Sequence, residues 1–186
     1  MNKLIHIFLI ALSIPILAAC TPADSGPRAT LGSSNAPVLI EEFSDFECPA
    51  CGRLAPEIEE LVKKNPNIAR LEFHHFPLPY HENAFRAAEA SECANDQGKF
   101  WEYSKLLFKN QTRLTEDNLK SFAGQVNLEQ GAFDTCFDGN KKRTKIKSDI
   151  ADGTGRQLSY TPSLYVNGKL VPWSNAEDFE KYIKSL

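Results

Sequence analysis

Val38-Leu39-Ile40-Glu41-Glu42-Phe43-Ser44-Asp45-Phe46-Glu47-Cys48-Pro49-Ala50-Cys51 is the stretch on which the fold turns. Val38 to Phe43 is a short β-prone run holding two glutamates, and it leads through Ser44 to Glu47 into a pair of cysteines that reads as the start of a helix. Pro49 suits the first helical position, where its missing N–H costs nothing. Beyond it Leu54, Ile58, Leu61 and Val62 recur at the spacing of one helix face, with Pro56 expected to kink the helix and Asn65-Pro66 to end it. Ile68 to Phe76 predicts a second strand, parallel to the first if the helix between them is a right-handed crossover.

Residues 82–157 carry helical patterns one after another: Phe85, Ala88 and Ala94; Phe100, Trp101, Leu107 and Phe108; Leu119, Phe122, Ala123 and Val126; Ala132, Phe133, Cys136 and Phe137. Leu164-Tyr165-Val166 and Leu170-Val171 flank Asn167-Gly168, a hairpin signal because both turn positions tolerate positive φ. Ser174 and Glu177 form a capping box for a last helix whose Phe179, Tyr182, Ile183 and Leu186 make one stripe. The expected order is β-α-β, a helical insertion over about 82–157, then β-β-α. This is an α/β domain covering residues 37–186.

The chain's 186 residues suit one domain, and 42% apolar with 24% charged residues excludes a disordered, collagenous or coiled-coil chain. The formal charge is −3, or −4 once the segment holding Lys3 is set aside, and no basic run stands ready to displace phosphate counterions. Nucleic acid is therefore not an expected partner. Leu4 to Leu17 is nearly all apolar, follows Lys3 and is interrupted by Pro15, too short for a resident span, so residues 1–19 read as a signal peptide. Leu17-Ala18-Ala19-Cys20 resembles the bacterial lipobox, in which the cysteine is acylated through its sulfur and becomes the first mature residue. A plain secretory peptide cut beside Ala18-Ala19 is the alternative, and it would leave Cys20 an unpaired thiol in an oxidising compartment. Thr21 to Ala36 has linker composition, so residues 20–36 are expected to form an acylated cysteine and a flexible tether with a root-mean-square span of about 22 Å.

Five cysteines minus an acylated Cys20 leave two pairs. Cys48 and Cys51, three residues apart at a helix start, share one side of the first turn, close enough for a disulfide. The first lies where free N–H groups and the helix dipole stabilise a thiolate. Cys48 is thus expected to be the nucleophile and Cys51, one turn in, the resolving thiol. Half a zinc site and an inert structural bridge are the competing readings. Zinc would need a second ligand pair, but Cys93 and Cys136 are isolated and His74, His75 and His81 belong to another segment, so neither metal nor other cofactor is expected. Cys93 and Cys136 both fall on apolar helix faces, and a structural bridge between them is expected. Closing that loop of roughly 43 residues is worth about 4 kcal/mol in the chain-entropy model. A redox relay and two buried free thiols are the alternatives. His74 and His75 end a strand, where neighbours face opposite ways and cannot easily share a metal, and they are expected at a surface or interface. Phe100, Trp101, Tyr103 and Phe108 are expected in the core, with a substrate groove as the alternative for part of the cluster.

Three motifs in order resemble those of the thioredoxin-fold thiol:disulfide oxidoreductases, specifically the DsbA-like branch with a helical insertion. They are Phe43 to Cys51, then Gln97-Gly98-Lys99-Phe100-Trp101-Glu102-Tyr103, then Thr161-Pro162-Ser163-Leu164-Tyr165-Val166-Asn167-Gly168. The resemblance covers residues 37–186 and implies a thioredoxin fold with a mixed central sheet and redox exchange through Cys48-Pro49-Ala50-Cys51. It also implies a cis Thr161-Pro162 bond facing the redox pair, where a proline without an N–H leaves the Thr161 backbone free for an extended substrate. Glu42 stands six residues before Cys48, the offset at which relatives keep a buried acid under the disulfide. Strand alternation lets only one of Glu41 and Glu42 point that way. A desolvated carboxylate there could relay the Cys51 proton, the alternative being a solvated edge glutamate.

Between the cysteines, the strongest oxidant of the branch has a histidine where this chain has Ala50, so Pro49 and Ala50 are the tuning positions. Cys48 is expected to titrate between DsbA, at about 3.5, and thioredoxin, at about 7. Oxidation of reduced client proteins is the expected direction, because the resemblance is to oxidases and neither a dimerisation domain nor a second thioredoxin unit is expected. A reductase or isomerase of the same fold and a non-enzymatic, disulfide-stapled binding module are the alternatives. The resemblance further implies re-oxidation by a quinone-linked membrane protein and a place in the bacterial envelope, lipid-anchored through Cys20.

Overall fold

In the computed structural model, which describes residues 27–186, five strands form one mixed sheet. They are β1 (Thr30–Leu31), β2 (Val38–Ser44), β3 (Ala69–His75), β4 (Ser163–Val166) and β5 (Lys169–Val171), in the order β1-β3-β2-β4-β5. Helix α1 (Pro49–Lys64) carries the chain from β2 to β3, which makes that pair parallel. Every other neighbouring pair is antiparallel. Asn167 and Gly168, at φ 48° and 77°, turn β4 into β5, a geometry that asparagine and glycine accept at low steric cost. The fold is α/β and thioredoxin-like, as the element order predicts.

Alternation along β2 divides its side chains between two layers. Val38 and Ile40 join Leu54, Ile58 and Val62 of α1 and Phe179 and Ile183 of α7 (Ala176–Lys184), while Phe43 packs with Phe76 and Tyr165 on the opposite face. Glu42 therefore lies on the α1 side, and Glu41 on the other.

Between β3 and β4 the chain builds five helices: α2 (Ala84–Asn95), α3 (Phe100–Lys109), α4 (Glu116–Gln125), α5 (Gln130–Asp138) and α6 (Arg143–Gly155). Their shared core includes Phe100, Tyr103, Leu107, Phe122, Phe133 and Phe137, each essentially inaccessible and each contributing about 1.5 to 3 kcal/mol by burial. Tyr103 satisfies its hydroxyl by donating to the Leu119 carbonyl at 2.8 Å. A disulfide joins Cys93 of α2 to Cys136 of α5, with Cα atoms 5.8 Å apart.

Three features differ from the sequence reading. Signal peptide, Cys20 and residues 21–26 of the tether lie outside the described residues, but residues 27–36 are not a free linker. Thr30 and Leu31 pair with Glu72 and Leu71, Ala29 is buried, and Arg28 donates twice to Asp149 (3.2 and 2.9 Å). A two-residue strand has too little length to show a period, and its partner lies some forty residues away. His74 and His75 are buried rather than superficial, because β3 is an interior strand covered by helices of the insertion. His75 Nε2 sits 2.9 Å from Glu92 Oε1 of α2, and Asp149 of α6 accepts from its backbone N–H. Finally, the cap of α7 is Asn175, whose Oδ1 accepts from the Asp178 N–H at 2.9 Å, one residue beyond the expected Ser174.

Candidate active site

Cys48 is the N-cap of α1, with Pro49 at the first helical position. Both Cys48 and Cys51 are free thiols, and both are buried. The Cys48 thiol is lowered to about 5, chiefly by a hydrogen bond from the Cys51 thiol, against burial, with further help from Thr161 and from the N–H groups of Cys51 and Ala50. Cys51, with no exposed surface, is pushed far up by burial first and then by its neighbour Cys48. The two sulfurs of one helical turn are thereby split into an acidic outer thiol and a strongly basic inner one.

Opposite the sulfurs stands the loop entering β4. The Thr161–Pro162 bond is cis, and Cys48 Sγ donates to the Thr161 carbonyl at 3.4 Å. Thr161 Oγ1 is buried without a hydrogen-bond partner among the described residues, which leaves a donor to spare for a thiolate. Below the pair, Glu42 is 1% exposed and raised to about 7, by burial above all, with Ser44 opposing and the charge of Glu59 adding. The Ser44 hydroxyl neighbours both Glu42 and Cys51 and pulls each of them down, although neither approach reaches full hydrogen-bond geometry. Glu41 points away, its Oε1 accepting from Arg156 at 2.8 Å. Of the two glutamates, Glu42 is the one on the α1 side, with Ser44 as a neighbour in common with Cys51.

Beside the pair, a cavity of about 540 Å³ opens between α1 and the β4–β5–α7 region, lined by Ala50, Arg53, Tyr160, Pro162, Leu170 and Trp173 among others. Tyr160 and Leu170 are about half exposed at its margin.

A family model described as thioredoxin matches residues 24–185. The chain belongs to the thioredoxin family. Among solved structures, a thioredoxin-like oxidoreductase from Silicibacter pomeroyi DSS-3 superposes with a TM-score of 0.76 at 25% identity, covering 89% of this chain and 97% of that one. Oxidised BdbD from Bacillus subtilis gives 0.75 at 22% identity, over 85% and 91%. A curated relative, the Na(+)/H(+) antiporter NhaA 1 of Salinispora arenicola (strain CNS-205), is 35% identical over 162 residues, 87% of this chain. The chain spans about a quarter of the length of that antiporter. Among the described residues no helix is long and apolar enough to cross a membrane.

In this thioredoxin-family site, sequence reasoning missed Ser44, Asp45 and Glu47. Asp45 is buried, its Oδ1 accepting from the Glu47 N–H and its Oδ2 from the Leu78 N–H and His81 Nδ1, all at 2.7 Å, while its carbonyl accepts from the Cys48 N–H at 3.1 Å. An aspartate bonded to the N–H two residues on is an Asx-turn, a signal the sequence does carry. Glu47 accepts from Asn83 and from the Ala84 N–H at the start of α2, a long-range cap that no local pattern announces. Asp45 thus ties the turn before Cys48 to the loop after β3, and Glu47 ties it to the insertion.

Among the described residues one other cluster has metal-ligand chemistry: Glu41, His74 and Asp152 offer ligand atoms within 4.8 Å of one another. Arg156 already bridges it, donating to Glu41 and to both oxygens of Asp152. His74 is held neutral there, lowered to about 3 by burial and then by Arg28, with Asp149 opposing. Its carboxylates are committed to a guanidinium, and the cluster lies on the face of the sheet away from Cys48 and Cys51.

Proposed function

We propose that the protein is a thiol:disulfide oxidoreductase that introduces disulfides into reduced proteins of the bacterial envelope. The observation that carries this reading is the geometry of the pair: Cys48 caps the first turn of α1 opposite Thr161 and cis-Pro162, while Cys51, one turn in, has no exposed surface, so that the outer thiol is lowered and the inner one pushed up. A stabilised thiolate favours the reduced form and so makes the disulfide form an oxidant.

In the proposed cycle a client thiolate attacks Cys48 Sγ of the Cys48–Cys51 disulfide, and Cys51 leaves as the thiolate. Protonated Glu42, raised to about 7, passes its proton towards that basic sulfur by way of the neighbouring Ser44 hydroxyl, and its return from solvent resets the site. A second client thiolate then attacks the client sulfur of the mixed disulfide. Cys48 departs as a thiolate held by the Thr161 hydroxyl and the first-turn N–H groups, the client gains a disulfide, and the protein takes up two electrons. Those electrons pass to a quinone-linked membrane protein that restores the Cys48–Cys51 bond. The Thr161 backbone beside cis-Pro162 and the adjoining cavity receive the client's extended chain. Pro49 and Ala50 tune the pair, and the absence of a cation at position 50 places its potential below that of the strongest oxidants.

The Cys93–Cys136 disulfide serves as a structural staple and fits an oxidising compartment. Cys20 supplies a lipid anchor, and a shorter tether than expected leads from it into β1. The deciding experiment is equilibration of the Cys48–Cys51 couple with glutathione. The expected potential lies between about −120 mV for DsbA and about −270 mV for thioredoxin. A value at or below that of thioredoxin would make the protein a reductase, and failure to exchange at all would leave a binding module.

A further inference from the structure

We infer that Gln111, in the connection between α3 and α4, is a positioning residue for exchange at Cys48, so that the helical insertion helps to set the redox level of the pair. The inference rests on the exchange chemistry proposed above. Gln111 Nε2 donates to the Phe46 carbonyl at 2.9 Å and to the Cys48 carbonyl at 2.8 Å. The same Cys48 oxygen accepts the first bond of α1, from the Gly52 N–H at 3.1 Å. One side-chain amide from the insertion thus ties together the approach to the helix and the residue bearing the nucleophilic sulfur.

The need for such a tie follows from the way this helix begins. The first turn of α1 contains no acidic residue, and no side-chain cap closes it. The Cys48 thiolate draws instead on the N–H groups of Ala50 and Cys51, which help only while the turn keeps them aimed at the sulfur. In the reduced protein the negative charge of the thiolate itself attracts them. In a disulfide or mixed disulfide the sulfur is neutral and that attraction is gone. The two bonds from Gln111 end on carbonyl oxygens, so their strength does not depend on the state of the sulfur, and they hold the turn ready for the thiolate before it forms.

Gly52 shows how closely the amide is fitted. A Cβ at position 52 would lie 2.5 Å from Gln111 Oε1 and 2.9 Å from its Cδ, nearer than real Cβ atoms come, so only glycine leaves the amide its place. Alanine is otherwise the better residue inside a helix, which sets this local cost against the general preference.

The test compares Gln111→Ala, Gln111→Glu, Gly52→Ala and the double variant Gly52→Ala/Gln111→Ala. Two properties are read: the equilibrium constant with glutathione, and the midpoint of Cys48 thiolate absorbance. Gln111→Ala should lower the equilibrium constant for reduction about tenfold, about 30 mV towards reducing potentials, with the thiolate midpoint moving upward. Gln111→Glu should go further, because a carboxylate cannot donate and adds negative charge near the thiolate. Gly52→Ala should reproduce the loss by displacing the amide, yet add little in the Gln111→Ala background, the non-additivity expected of contacting residues. Unchanged potential and midpoint in folded Gln111→Ala, or strictly additive effects, would overturn the inference. Gln111→Asn, one methylene shorter, replaces Gln111→Ala if the latter does not fold. A wild-type protein that fails to exchange with glutathione would refute the proposed function, whereas the thiolate titration would still decide the role of Gln111.

Discussion

Replacing Glu42 with glutamine should uncouple stability from function at one buried atom. Glutamine has nearly the shape of a protonated glutamate but cannot ionise, and Glu42 is 1% exposed with its Oε1 unpartnered among the described residues. Below about pH 4.5 the carboxyl holds its proton in the folded and the unfolded chain alike, so it adds nothing to the pH dependence. Between 4.5 and about 7 the unfolded chain ionises while the folded protein keeps the proton, and wild-type stability must fall as the pH rises. Above about 7 the penalty is complete. The gap between 4.5 and about 7 corresponds to about 3 kcal/mol. Urea denaturation of reduced wild type and Glu42→Gln from pH 4.5 to 8.5 should therefore show the variant gaining about 3 kcal/mol over the wild type across the range. Taking the difference removes the contribution of Cys48, which both proteins share, and any constant cost of burying the amide. Glu42→Gln should also slow resolution at Cys51 while leaving the first attack on Cys48 less affected. A difference in stability that stays flat with pH would show that Glu42 titrates normally and would refute its assignment as a buried proton relay.

Cys48→Ser should abolish exchange and Cys51→Ser should trap mixed disulfides, read as adducts on non-reducing gels; equal trapping by both would reverse or erase the division of roles. Cys93→Ala/Cys136→Ala should lose up to about 4 kcal/mol of stability to urea, from a closed loop of 43 residues, while the folded variant keeps its Cys48–Cys51 potential. A shifted potential would make that disulfide part of the redox chemistry. Cys20→Ser should release the protein from the detergent phase with its exchange activity intact, and a wild-type protein that is unacylated and wholly aqueous would refute the anchor.

Much of the fold was legible because its signals are local. Val38 to Phe43, Pro49 after Cys48, Asn167-Gly168 and the stripe from Phe179 to Ile183 each state an element within a few residues, and the structure places strands, helix and hairpin there. β1 was not legible, since two residues have no period and a strand is defined by its partner. The burial of His74 and His75 was hidden for a related reason: whether β3 is an interior strand depends on β1, and whether its faces are covered depends on α2 and α6.

For the site, sequence alone determined the chemistry available: two cysteines one helical turn apart, an acid six residues upstream, and Thr161-Pro162 far along the chain. The period of a helix start fixes the first of these, while the acid and Thr161-Pro162 were marked by the resemblance to the DsbA-like branch. Only the tertiary structure decided which glutamate is buried on the α1 side, that the Thr161 carbonyl meets Cys48, that Asp45 ties the turn to the loop after β3, and that Glu47 and Gln111 lock it to the insertion. Desolvation and hydrogen bonding act over a few ångströms, and those few ångströms join residues dozens of positions apart, where no local pattern can report them.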